Sequence, residues 1–146
     1  MEVLIKAHSG LRYIVLLLLV IAIINALMNL KSDKYEKKDK MINLFTMIFI
    51  HIQLLIGLVL YFFGPKVNFS QWIEGISNVH FFAVEHLAMM LLAIILITLG
   101  RKKAELQALP KQKHKMIFRY YGLGLILIFA AIPWPFIYNE LNVGWF

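Results

Sequence analysis

The chain has no cysteine, which removes disulfides, thiolate metal centres and iron–sulfur clusters, since each needs a sulfur from the protein. Charge is scarce as well. Only 16% of residues are charged, against about a quarter in ordinary globular domains. No Ser–His–Asp or metalloprotease spacing occurs, and the glycines match no phosphate-cradling loop. The opening MEVLIKAHSGLRY lacks the basic n-region and small-residue cleavage site of a secretory signal, so its apolar stretch reads as a retained first helix.

Hydrocarbon fills the space left by these absences. The hydrophobic share is 61% and the mean hydropathy is +0.75. Four apolar runs stand out: Val15–Leu30 (extending back to Leu11), Met41–Phe63, Phe81–Leu99 and Met116–Tyr138. Each approaches or exceeds the ~20 residues that cross ~30 Å of hydrocarbon as a helix. Together they consume most of the chain, which predicts a single four-helix transmembrane domain over residues 1–146.

The net charge of +7 is distributed as a topology signal, which argues for a lipid bilayer as partner and against nucleic acid. Five lysines lie in Lys31–Lys40 and seven basic residues in Arg101–Arg119, 12 of the 15 in the chain. By the positive-inside rule both segments face the cytoplasm and both termini lie outside. Localisation as a multi-pass membrane protein follows. An outer aromatic belt is expected from Tyr61, Phe62, Phe63, Trp72, Phe81, Trp134, Tyr138 and Trp145. Pro133 and Pro135 should end or kink the fourth helix near Ile132, with the Trp-Pro-Phe segment along the outer surface. Gly64–Pro65 should close the second helix. Short loops make neighbours antiparallel, so the expected fold class is all-α, an integral membrane up-down four-helix bundle. Alanines and glycines on helices 1, 3 and 4 offer faces for close packing.

Polar residues inside apolar runs carry the functional signal, because the bilayer penalises them. His51 and His86 are such residues. With Met41 and Leu99 taken as inner ends, they lie about 15 and 20 Å up, at 1.5 Å per residue. Matched depth on adjacent or diagonal helices is what a bis-histidine haem requires, one axial nitrogen on each face of the porphyrin. A helix–helix hydrogen bond is the plainer alternative for each. His8 is expected roughly 33 Å up, at the outer rim, with Arg12 one turn deeper on the same face. There the pair would meet the propionates of a haem. Glu85 is the one carboxylate within an apolar span, so it should be paired or protonated, as a buried proton-linked group. Gln53 also needs an internal partner. His80 and His114 read as solvated side chains. Met47 and Met90 lie four residues from His51 and His86, so each His–Met pair shares a helix face. That soft ligand set keeps copper(I) as an alternative.

Four motifs together carry a resemblance: His8-Ser9-Gly10-Leu11-Arg12-Tyr13, His51-Ile52-Gln53 running to Gly57-Leu58-Val59-Leu60-Tyr61, Glu85-His86-Leu87-Ala88-Met89-Met90, and Ile132-Pro133-Trp134-Pro135-Phe136. Over nearly its whole length the chain resembles small four-helix membrane proteins of the Bacteroidota commonly labelled cytochrome b, with Tyr13 where many relatives have tryptophan. The resemblance implies haem b and carries over His8, Arg12, His51, Glu85 and His86 as site positions. The leading expectation is therefore a haem b electron-transfer protein, a redox carrier rather than a stand-alone catalyst. In it, His51 and His86 would bind the metal, and a quinone or a respiratory or other membrane complex would be the partner. A non-catalytic accessory or assembly subunit and a copper-handling protein are the alternatives, and a homo-oligomer is compatible with all three.

Overall fold

In the computed structural model, which describes residues 1–65, 67 and 80–137, the chain is all-α. Four helices follow in order: α1 (Glu2–Met28), α2 (Lys37–Phe63), α3 (Leu87–Leu106) and α4 (Pro110–Ala131). A six-residue π-helical turn, Phe81–His86, leads directly into α3. Three stretches, Glu2–Met28, Lys37–Phe63 and Phe81–Leu106, are long and apolar enough to cross a membrane, so this is a multi-pass membrane protein. Helix α4 is more polar over its first half, where Lys111, Lys113, His114, Lys115 and Arg119 precede the apolar Leu123–Ala131. Lys66, Trp72, Tyr138 and Trp145, and with them part of the expected aromatic belt, lie outside the described residues.

Each helix buries one narrow seam, and the seams obey a single spacing. The buried positions are Val15, Leu19, Ala22 and Ala26 in α1, then Asp39, Asn43, Thr46 and Ile50 in α2. In α3 they include Ala93, Ile97, Gly100 and Ala104, and in α4 His114, Ile117, Tyr121, Gly124, Ile128 and Ala131. Steps of three and four residues alternate throughout, the a/d repeat of helices packed knobs-into-holes. The opposite faces carry large exposed hydrophobics such as Leu17, Ile24, Leu55, Ile95 and Ile126. In water such a surface would be a liability; against lipid tails it is the solvated face.

Small residues decide which pairs of helices approach closely. A methyl group on Gly124 would fall 2.6 Å from Ile97 Cγ1, and one on Gly100 would collide with Tyr120. These two glycines let α3 and α4 pack most extensively. Helix α1 packs against both α2 and α4, whereas α2 and α3 meet only sparsely. Helices α1 and α3 thus stand diagonally, and the side of the bundle between α2 and α3 is the loosest.

The seam of α2 is the most polar of the four, with Asp39, Asn43 and Thr46 buried on it, and most of its polar groups are hydrogen-bonded within α2 or to neighbouring elements. Asn25 Nδ2 donates to Asp39 Oδ1 at 2.8 Å, while the other Asp39 oxygen accepts the Glu36 N–H in a capping box that starts α2. Thr46 donates to the carbonyls of Ile42 and Leu18. Tyr121, fully buried on α4, donates to Asn43 O at 2.7 Å. Interhelical bonds of this kind contribute on the order of 0.6 kcal/mol each in a membrane protein, and they fix register more than they stabilise.

Both basic segments lie at one end of the bundle, as their sequence asymmetry predicts. Lys111 pairs with Asp33 at 3.0 Å and Lys40 with Glu105 at 3.5 Å. Tyr35 donates to Glu105 at 3.2 Å and accepts from Asn43 at 3.1 Å. Burial pushes the Tyr35 phenol up to about 12, so it is held as a donor. His114 differs from its expectation as a solvated side chain. It is buried, its Nε2 donates to Lys34 O at 3.0 Å, and its ring meets Tyr35 edge-on at 5.1 Å. The sequence places it among lysines, but it occupies a seam position of α4, and the Lys31–Glu36 loop folds over it.

At the opposite end α2 stops at Phe63 with Gly64 as its cap, and α4 stops at Ala131 ahead of Pro133. Trp134 does not lie along the outer surface. It is only 8% exposed, and its indole N–H turns back to Phe129 O at 3.0 Å. The helix end leaves carbonyls without ladder donors, and the indole satisfies one.

Candidate functional site

The seams of all four helices converge on a cavity of about 290 Å³ at the end opposite the lysines. Extending each repeat upward explains its lining. The α1 seam continues through Arg12, His8 and Ile5, the α2 seam through Gln53 and Gly57, and the α3 seam through Met90, His86 and Phe82. All eight line the cavity, with Ile128 and Ile132 from the α4 side. The walls are mostly apolar, with a few convergent polar groups, the usual character of a small-molecule or cofactor site.

His8 and His86 face one another here. Their ring centroids are 6.4 Å apart and the rings are inclined at 69°. The His86 Nδ1 lies 2.9 Å from Ala131 O. A carbonyl can only accept, so Nδ1 carries the proton and the neutral ring keeps its lone pair on Nε2. A hydrogen bond of this type, from the ring nitrogen that does not bind the metal, is what fixes the tautomer and orientation of metal-binding histidines. The residue that follows from it, Ala131, is the last of α4, where helical carbonyls lack internal donors.

His8 is positioned from its other side by α2. Gln53 Nε2 donates to His8 O at 2.8 Å. Gly57 lies beside the ring, so that a Cβ there would approach His8 Cε1 to 3.1 Å. The His8 Nδ1 and the Gln53 Oε1 are buried and have no hydrogen-bond partner among the described residues. Buried polar atoms are nearly always satisfied, and these two belong to residues that line the same cavity. Arg12 adds a guanidinium, which donates to Tyr13 OH at 3.0 Å and lies 5.9 Å from the Trp134 ring centroid.

The structure brings His86 to His8 and not to His51. His51 does not line the cavity. Its Nδ1 donates to Met47 O at 2.7 Å, and its Nε2 lies 3.5 Å from Thr98 Oγ1, three turns along α3 from His86. Two facts account for the difference from the matched-depth expectation. Helix α3 continues past Leu99 to Leu106, so His86 stands twenty residues, about 30 Å, from the lysine-rich end of its helix. His8 is likewise twenty residues from Met28, whereas His51 is fourteen from Lys37, about 21 Å. In addition, His51 is one residue off the seam defined by Ile50 and Gln53.

Glu85 is also off the seam and is not buried. Its side chain is 58% exposed, and Oε1 lies 3.6 Å from His80 Nδ1 at the end of the bundle. Among the described residues it makes no ion pair with Arg12. Met90 does line the cavity with the two histidines, while Met47 is represented only by the carbonyl that His51 uses. Residues that sequence spacing did not single out as part of the site are Gly57 and Ala131; the seam repeat places both at its level.

No group of three or more His, Cys, Asp or Glu able to hold a metal ion occurs among the described residues. The protein thus offers two facing imidazoles, a thioether and an apolar chamber. Compared with known proteins, the chain matches no family model, no curated protein and no solved structure.

Proposed function

We propose that this chain is a haem b electron carrier of a bacterial cytoplasmic membrane, in which His8 and His86 would hold the iron. The observation that carries the reading is the 6.4 Å separation of the two ring centroids across a four-helix cavity. Two imidazoles on one metal ion stand about 6 Å apart centre to centre, given a metal–nitrogen distance of about 2.0 Å and about 1.1 Å more to each ring centre. A porphyrin supplies four ligands of its own, so two protein nitrogens suffice. The resemblance to small membrane proteins labelled cytochrome b points the same way.

The remaining lining fits the same group. Ala131 O holds His86 in the tautomer that leaves Nε2 available. Gly57 leaves room at the His8 ring, Arg12 offers a cation for a carboxylate of the cofactor, and Leu54, Leu87 and Ile94 exclude water. When bound, haem supplies a reversible one-electron couple. The chain's own contribution is to hold both imidazoles in place and to keep their surroundings apolar, which sets the potential. His51 donates from Nδ1 to Met47 O and lies with Nε2 3.5 Å from Thr98 Oγ1, at the contact between α2 and α3. The lysine-rich end faces the cytoplasm, α4 completes the up-down bundle as a fourth crossing, and the site opens near the outer side. There a quinone or a membrane-complex partner exchanges electrons with it.

The deciding experiment is the visible spectrum of the protein purified from native-source membranes. Soret and α bands that sharpen on dithionite, present in wild type and His51→Ala but lost in His8→Ala and His86→Ala, are expected. A colourless wild type with copper bound would favour the His8–His86–Met90 set as a copper(I) site. A colourless, metal-free protein would leave the accessory-subunit reading, with the histidines as interhelical donors.

A further inference from the structure

A second recess lies at the other end of the bundle, on the lipid-facing side of the α3–α4 pair. It is a groove of about 510 Å³ lined by Lys103, Gln107, Met116, Arg119, Tyr120 and Leu123. Its height coincides with the place where hydrocarbon ends. Above it α3 is apolar as far as Leu99 and α4 is apolar from Leu123, whereas α3 turns basic at Arg101, Lys102 and Lys103, the last of them in the groove itself. Leu123 is 53% exposed and forms the lipid side of the groove.

The cations are placed by packing. Gly100 lets Tyr120 lie directly on α3. The Tyr120 hydroxyl then accepts from Lys103 Nζ at 2.8 Å, with the ammonium 5.2 Å from the ring centroid. This holds the lysine head at the mouth of the groove without neutralising it. Arg119, exposed on α4, has no acidic partner among the described residues. Glu105, the nearby carboxylate in sequence, is turned to the other side, toward Tyr35 and Lys40. Two cations from two helices, a phenol and an amide therefore border one groove that no carboxylate lines.

We infer that this groove binds the phosphate headgroup of an anionic phospholipid, such as phosphatidylglycerol, in the leaflet on the lysine-rich side. Charge complementarity and the boundary position select this occupant. Arg119 and Lys103 flank the phosphate, with charge-assisted bonds of the kind that guanidinium and ammonium groups make to it. An acyl chain continues upward along Leu123 and the exposed apolar face of α4. Basic recesses between helices at this level are a general solution for anionic lipid. By bridging Lys103 and Arg119, the lipid ties together the α3–α4 pair that presents Ala131 O to His86.

Native mass spectrometry of the detergent-purified full chain tests it, with dioleoylphosphatidylglycerol, dioleoylphosphatidylcholine and inorganic phosphate as separate probes. Phosphatidylglycerol should be retained about tenfold or more tightly than phosphatidylcholine, and K103Q/R119Q should abolish the preference. K38Q/K115Q removes the same charge from exposed lysines outside the groove and should keep it. R119Q alone, at an exposed position, should lose most of the preference and provides the comparison if the double variant folds poorly. Equal retention of the two lipids by wild type overturns the site. Equal loss in K38Q/K115Q overturns it in favour of diffuse surface charge. Binding of inorganic phosphate as tightly as of lipid overturns the lipid assignment and leaves a free-anion site.

Discussion

Gly57 is the sharpest point at which to perturb the cavity. Glycine inside a helix costs roughly 0.5–1 kcal/mol relative to alanine, so a residue with a side chain would be the more stable choice if space allowed. At Gly57 it does not, because a Cβ would come within 3.1 Å of His8 Cε1 and 3.7 Å of its Nδ1. For Gly57→Ala the His8 ring must yield by a few tenths of an ångström, and the crowding offsets the helix gain. The net effect should stay within about 1 kcal/mol of zero. Gly57→Leu drives a whole side chain into the volume of the imidazole and should cost about 1–3 kcal/mol by overpacking. Gly10 is the control, since a Cβ there meets nothing within 4 Å. Gly10→Leu should be neutral or stabilising. Chemical unfolding in mixed micelles measures the packing term whatever the cavity holds. Soret absorbance per protein measures ligation, which should be lost in Gly57→Leu and kept in Gly10→Leu. A Gly57→Leu protein as stable as Gly10→Leu would refute the placement of His8 against α2. One that keeps a wild-type haem spectrum would refute His8 as a ligand.

Gly100→Ala should destabilise by about 1–3 kcal/mol, since the added methyl meets Tyr120 across the α3–α4 contact. Gly122→Ala, with open space around it, should stabilise by up to about 1 kcal/mol; unfolding curves of the pair measured side by side would expose a wrong α3–α4 register. Glu85→Gln should leave the spectrum, the midpoint potential and its pH dependence unchanged, because the carboxylate is exposed beside His80 and outside the cavity; a flattened pH dependence in potentiometry would contradict this. Folding should weaken between about pH 10 and 12. The native Tyr35 phenol, pushed up to about 12 by burial, keeps its proton there while the unfolded chain releases it near 10, so the unfolded state is favoured as pH rises. Tyr35→Phe should remove that part of the pH dependence in thermal melts, and an unaltered profile would place the alkaline transition elsewhere.

How much of this was legible in the residues depends on whether the governing physics is local. The apolar runs are set by the cost of backbone and polar groups in hydrocarbon, so an all-α bundle of four helices is legible from composition and length, and three of the four expected spans are long and apolar enough to cross a membrane among the described residues. The clustering of both lysine-rich segments at one end is fixed in the same way, because an even number of crossings returns the chain to the same side. The buried seams are local too. Gln53, Gly57, His86 and Met90 fall on three-and-four steps, but polarity alone singles out His51 and Glu85 in the sequence, and the buried register that leaves both off the seam is seen only in the packed bundle.

Which histidines meet is a different kind of quantity. It depends on where helices end and on how far each slides along its neighbour. A lysine-rich stretch such as Arg101–Leu106 reads as loop by hydropathy, yet it continues α3 by almost two turns and lifts His86 to the level of His8. Side-chain fit fixes the register: Gly100 against Tyr120, Gly57 against His8, Asn25 on Asp39 and Tyr121 on Asn43. None of these pairs is adjacent in sequence. Burial of His114 under the Lys34 carbonyl, and of Trp134 against the end of α4, depends on loops folding over helix ends. Hydropathy and periodicity report what one helix does with its own faces. Only the packed bundle decides which two faces share a cavity, because that choice is made by contacts between residues far apart in the chain.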